Sequence, residues 1–282
     1  MKKAAVYAIL VVGPLALLVV ANVSTQEMPG EGVITADGAY INPQHLFMVR
    51  PPRGWVPTEK FPPALAPSAV VSFELPAPGP WYKRARGMGG KGDAKANVMV
   101  RVWRWKTSLD RVVALMKDPN RALQYRIKSE GPTVVGGYDG YRLHYSWGQF
   151  MNLEAGEHVE HYVSRGDKIY LVSYMTFKDV PFDTYLKEAD AAIRSFRFLE
   201  KIEIDVMNGA VVVDGKSYGS LPVTLYLTSA EPHTLVAEPR RPWWPWANAG
   251  DAFRGWSDGH ASPARTVTVT KATTFVARFD AK

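Results

Sequence analysis

The sequence contains no cysteine. That absence excludes a disulfide scaffold, a thiolate zinc site, an iron–sulfur centre, a Cys nucleophile and a lipidated N-terminal Cys. Stability must come from packing alone. A strong basic field is lacking too. The net charge is +7, but Lys2 and Lys3 supply part of it, and residues 201–282 carry nine Lys/Arg against eight Asp/Glu. A nucleic-acid binder would show a basic face, so nucleic acid is not an expected partner. His-Glu-x-x-His, Gly-x-Ser-x-Gly and phosphate-loop motifs do not occur in the sequence. The chain therefore reads as non-enzymatic, and no catalytic, cofactor-binding or metal-ligating residue is assigned.

What is present is apolar and aromatic. Hydrophobic residues make up 46%, and there are nine Trp, which implies real cores rather than disorder. The 282 residues suffice for two ordinary domains after an N-terminal segment.

Residues 1–26 form that segment. Ala4 to Ala21 carry no charge and follow Lys2 and Lys3. As a helix they would span about 27 Å, close to the hydrocarbon thickness of a thin bilayer. The preceding lysines place the remainder outside. The segment reads as an uncleaved signal anchor, a transmembrane helix, with a cleaved signal peptide as the alternative. Asn22-Val23-Ser24 is a glycosylation sequon. Residues 27–44 read as a linker.

Residues 45–199 show mixed periodicity. Asn97–Trp105 alternates, with Val98, Val100 and Val102 on one face and Met99, Arg101, Trp103 and Trp105 on the other. Ser108 caps a short helix with Leu109, Val112, Val113 and Met116 on one face. Tyr141, Leu143, Tyr145 and Trp147 share a strand face, and further strands are expected at His158–Ser164 and Lys168–Phe177. Pro181–Phe196 has the spacing of an amphipathic helix. The pattern is that of an α+β domain, an antiparallel sheet with flanking helices.

Residues 200–282 show no helical period. Short strands separated by turns, among them Asp214-Gly215, imply a small all-β sandwich.

The motifs Pro52-Arg53-Gly54-Trp55, Ser108-Leu109-Asp110, Gly140-Tyr141-Arg142 and Ala191–Phe198 resemble those of the PsbP-like superfamily. The resemblance covers about 45–199 and implies an α/β/α sandwich without a catalytic role. The stretch 201–282 is similar to an immunoglobulin-like repeat of bacterial and archaeal surface proteins. It carries Val213-Asp214-Gly215, His233-Thr234-Leu235 and the run Gly255-Trp256-Ser257-Asp258-Gly259. That likeness implies a spacer or docking module.

Two segments stand out as contact sites. Arg240, Arg241, Trp243, Trp244 and Trp246 form an aromatic and cationic insert suited to an envelope protein or polysaccharide partner. Lys83, Arg84, Arg86, Lys91 and Lys95 lie in a Gly-rich loop suited to an anionic surface, or simply to solvent. His158 and His161 are three apart in a strand and point to opposite faces, which argues against a shared metal. The expected role is a membrane-tethered, extracytoplasmic, non-catalytic binding or structural protein of the prokaryotic cell envelope. The alternative is an exported solute-binding or accessory subunit with a cleft near Trp103, Trp105 and Trp147.

Overall fold

The structure is a computed structural model. It describes residues 32–59, 61, 68–74, 96–104, 107–118, 125–148, 155–177, 180–207, 209–219, 222–239 and 252–280. In chain order the strands are β1 Val33–Ile34, β2 Tyr40–Asn42, β3 Phe47–Val49, β4 Val56–Thr58, β5 Ala69–Glu74 and β6 Ala96–Arg104. Then come β7 Tyr125–Val135, β8 Tyr138–Trp147, β9 Gly156–Arg165, β10 Lys168–Phe177, β11 Arg197–Met207 and β12 Gly209–Val213. The last are β13 Lys216–Tyr218, β14 Val223–Thr228, β15 Pro232–Pro239, β16 Phe253–Trp256, β17 Ala264–Thr268 and β18 Thr273–Phe279. The α-helices among the described residues are α1 Leu109–Met116 and α2 Leu186–Arg194.

The chain divides into two compact units, Met1–Asn42 with Val49–Phe196, and Pro43–Met48 with Arg197–Lys282. The first unit is built on an antiparallel sheet in the order β4-β5-β6-β10-β9-β8-β7. β10 lies in the middle and is buried along almost its whole length, as its run of Ile, Leu, Val and Tyr requires. Its odd-numbered residues Ile169, Leu171 and Met175 share a cluster with Val112 and Met116 of α1. α2 packs against β10 and β6. There Tyr170 meets Phe196 with ring centroids 6.2 Å apart, and Tyr174 donates to the Phe182 carbonyl at 2.9 Å.

Both helices follow their sequence signals, with one difference. The Ser108 hydroxyl accepts from the Arg111 N–H, capping α1. The second helix is shorter than the apolar spacing predicts, because Phe182–Thr184 is a 3₁₀ turn and Tyr185, at φ −121°, breaks the run before α2.

The second unit is all strand. β11 pairs with β14 antiparallel and with β18 in parallel, and β16 closes that sheet. A second sheet runs β13-β12-β15-β17. Ile202 and Ile204 of β11, Val211 and Val213 of β12, Leu235 of β15 and Phe275 of β18 lie in one buried cluster between them. β3 adds to β11 through Phe47 opposite Phe198.

The expected class, an α+β chain with an N-terminal transmembrane helix, is corrected on two counts. The described residues are mainly β, in several sheets, with only α1 and α2 as α-helices. These have eight and nine residues, while strands of up to eleven pair continuously beside them. And no helix among the described residues is long and apolar enough to cross a membrane. Both helices are amphipathic, α2 carrying Lys187, Glu188, Asp190 and Arg194. The segment Ala4 to Ala21, on which the transmembrane reading rested, lies outside the described residues.

Candidate functional site

The first unit carries a seam of polar side chains on the sheet face that α1 covers in part. Strand register sets its rows. Glu74, Asn97, Met175, His158 and Tyr145 stand side by side across β5, β6, β10, β9 and β8. The next row is Ser72, Met99, Ser173, Glu160 and Leu143. Arg101, Leu171 and Tyr162 form the third. Alternation along each strand puts all of them on one face. Seven of these polar groups are buried: Ser72, Glu74, Asn97, Arg101, His158, Glu160 and Ser173.

Part of the seam is tied together internally, although Glu160 Oε1 is buried without a hydrogen-bond partner. The Tyr162 hydroxyl donates to Glu160, and the Tyr145 hydroxyl lies 2.8 Å from His158 Nδ1. His158 Nδ1 is also 3.3 Å from Glu160 Oε1. Burial raises the Glu160 carboxyl above its ordinary value, against the opposing pull of Tyr162, Tyr145 and Arg101. Burial, then the Arg101 charge, pushes His158 well down. His158 is therefore neutral and cannot neutralise Glu160.

The other half is not satisfied. Arg101 is 7% exposed, and its hydrogen bond is from Nε to Met99 Sδ at 3.1 Å, a weak acceptor. Burial lowers its pKa, with Glu160 acting in the opposite sense. Neither amide atom of Asn97 nor the Ser72 hydroxyl has a hydrogen-bond partner, although the two residues are 1% and 0% exposed. Buried polar groups without partners are rare in folded proteins and need an explanation.

The second unit contains a geometry that mimics a catalytic triad. Asp214 Oδ2 lies 2.7 Å from His233 Nδ1, and His233 Nε2 lies 3.0 Å from Thr228 Oγ1. But Thr228 gives its hydroxyl proton to Glu231 Oε2 at 2.7 Å, and His233 Nε2 also faces the Thr228 carbonyl at 3.0 Å. A base for Thr228 would need a free lone pair on Nε2. The arrangement instead ties turns together, since Asp214 also accepts from the Thr234 N–H at 2.8 Å.

A cleft of about 430 Å³ in the first unit is lined by Gly32, Ile34, Tyr40, Pro57, Thr58 and Glu59. Glu59 Oε1 there already accepts from the Tyr40 hydroxyl at 2.6 Å and from the Gly32 N–H at 2.9 Å. Among the described residues no group of three His, Asp or Glu could hold a metal.

The residues expected from the sequence to make contacts all lie outside the described residues: Arg240, Arg241, Trp243, Trp244 and Trp246, and Lys83, Arg84, Arg86, Lys91 and Lys95. So does Trp105. Trp147, expected at a cleft, is 5% exposed and packs its ring against His158 and Phe177. Trp103 is half-buried at the Arg101 end of the seam. Sequence reading passed over the seam itself. Its signal was present: Arg101 between Met99 and Trp103, and Glu160 between His158 and Tyr162, are charges on faces that alternation assigns to the core.

No known protein family matches the chain, and no curated protein does. Solved structures similar to it include cyanobacterial PsbP (CyanoP) from Synechocystis sp. PCC 6803, at 18% identity over 57% of this chain and 91% of that one, TM-score 0.39. LpqN of Mycobacterium tuberculosis, described as involved in cell envelope biogenesis, is similar at 10% identity over 53% of this chain and 81% of that one, TM-score 0.37. A Pseudomonas aeruginosa protein of unknown function is similar at 12% identity over 59% and 96%, TM-score 0.35. Likenesses this distant say nothing of activity, and the site is read from its own residues.

Proposed function

We propose that the protein is an exported, non-catalytic binding protein that acts outside the cytoplasm. The single observation behind binding is the unsatisfied half of the seam, where Arg101, Asn97 and Ser72 are buried and offer hydrogen-bonding capacity that the described residues leave unused. The non-catalytic part of the reading rests on the sequence, which carries no His-Glu-x-x-His, Gly-x-Ser-x-Gly or phosphate-loop motif. In the described seam the Tyr162 hydroxyl donates to Glu160 and the Tyr145 hydroxyl lies beside His158. Export is supported by the uncharged run Ala4 to Ala21 behind Lys2 and Lys3.

The insert Arg240 to Trp246 supplies a second contact for an envelope polysaccharide or protein, since Trp and Arg stack readily on sugar rings and anchor interfaces. Cell fractionation of the native host, combined with protease treatment of intact cells, tests the reading. Full-length chain in the cytosol would overturn it. Sedimentation with purified envelope polysaccharide tests the insert, and loss of binding is expected when Trp243, Trp244 and Trp246 are all replaced by Ala.

A further inference from the structure

We infer that the cleft beside β4 binds a primary alkylammonium group, with the Glu59 carboxylate as its counterion. The site is separate from the seam and goes beyond the binding reading above. The cleft has room, about 430 Å³, and is walled by Ile34 and Pro57 beside Thr58 and Glu59. A volume of that size is ordinary for a small-molecule site.

The carboxylate is held in place. Both donors that reach it end on the same oxygen, Oε1: the Tyr40 hydroxyl at 2.6 Å and the Gly32 N–H at 2.9 Å. Behind it, Asn42 Nδ2 donates to the Tyr40 oxygen at 3.2 Å, and both residues are buried. Burial, then the bond to Glu59, raises the Tyr40 phenol, so it keeps its proton and acts as the donor. Gly32 completes the cradle. A Cβ there would run into the Tyr40 ring, so a side chain would displace the N–H from Glu59.

Oε2 of Glu59 accepts no hydrogen bond and meets no cation among the described residues. The Thr58 hydroxyl is likewise unused among them. An ammonium has three donors and no acceptor. Two go to Glu59 Oε2 and the Thr58 hydroxyl, and the third to solvent. The alkyl chain lies along Pro57 and Ile34, a large apolar side chain left 47% exposed opposite Tyr40 in register. The described lining holds one carboxylate, which suits a monocation.

The test is calorimetric titration of the full chain with hexylammonium. The counterparts are 1-hexanol, which lacks the charge, and tetramethylammonium, which lacks N–H groups. The Gly32 amide signal in a nitrogen-edited NMR spectrum reports the location, since that N–H is bonded to Glu59. Saturable binding of hexylammonium with a shift at Gly32 is expected, and neither from the counterparts. Glu59→Gln keeps an oxygen for Tyr40 and Gly32 and should weaken binding roughly 10-fold, and Ile34→Ser roughly 5-fold. If Glu59→Gln fails to fold, Ile34→Ser and Thr58→Val carry the test. No saturable binding, no shift at Gly32, equal binding of either counterpart, or unchanged affinity in the folded variants overturns the inference.

Discussion

Nε of Arg101 donates to Sδ of Met99 at 3.1 Å, two residues back on the same face of one strand. A cation held against a thioether gains little from the contact. The charge that answers it is Glu160, also buried, on which Arg101 acts in turn. Arg101→Met supplies an apolar side chain of similar length but leaves the Glu160 carboxyl buried without that positive charge. The free energy of unfolding should fall by about 3 kcal/mol in urea denaturation. An unchanged or higher value would show that the fold makes no use of the Arg101 charge.

His161 gives the fold an acid sensitivity. It lies on the face opposite the seam, with Nδ1 at 3.5 Å from Thr133 Oγ1 and Nε2 buried without a partner. Burial, then the Arg142 charge, pushes its pKa from 6.5 down to about 4. Between these values the unfolded chain takes up a proton that the folded chain refuses. The stabilisation is thus complete above pH 6.5 and is lost as the pH falls towards 4. At 1.36 kcal/mol per unit it amounts to at most about 3 kcal/mol, and His158 adds to it in the same direction. In His161→Gln, the loss of stability between pH 7 and about pH 4.5 should shrink by about 2 kcal/mol, read from urea midpoints at each pH.

In the second unit, His233 bridges Asp214 and Thr228. Asp214 sits at φ +48° in the turn before Gly215, a conformation that a non-glycine residue holds only with local support. His233→Ala removes that support and leaves the Thr228 carbonyl short of a donor. A destabilisation of about 1–2 kcal/mol is expected, with faster amide exchange at Thr234, whose N–H is held by Asp214.

Gly156 marks where the sheet tolerates no side chain. A Cβ there would collide with the indole of Trp147 and with the Thr176 carbonyl. Gly156→Ala should cost about 1–3 kcal/mol and change the near-ultraviolet circular dichroism of the Trp147 ring.

The strands were legible where periodicity was clean. Met99, Arg101 and Trp103 were assigned to one face of β6, and β6 places them there, with Met99 in the cluster beneath α1. Tyr145 and Trp147 likewise join that cluster. The helix at Ser108 followed from a capping residue and four apolar positions. The second helix was overestimated, because apolar spacing does not reveal that Tyr185 leaves the helical region. The seam was missed for another reason. Asn97, Ser72 and Glu160 come from three strands: the pairing of β5 with β6 brings Ser72 beside the Asn97 row, and β10 between β6 and β9 brings in Glu160. A local reading sees single polar residues, each unremarkable in its own strand.

Where the chain resides tests the account most directly. In fractionated cells of the native host, the account predicts the chain in the envelope or extracellular fraction, as the uncharged run Ala4 to Ala21 behind Lys2 and Lys3 implies. Full-length chain recovered in the cytosol would contradict it.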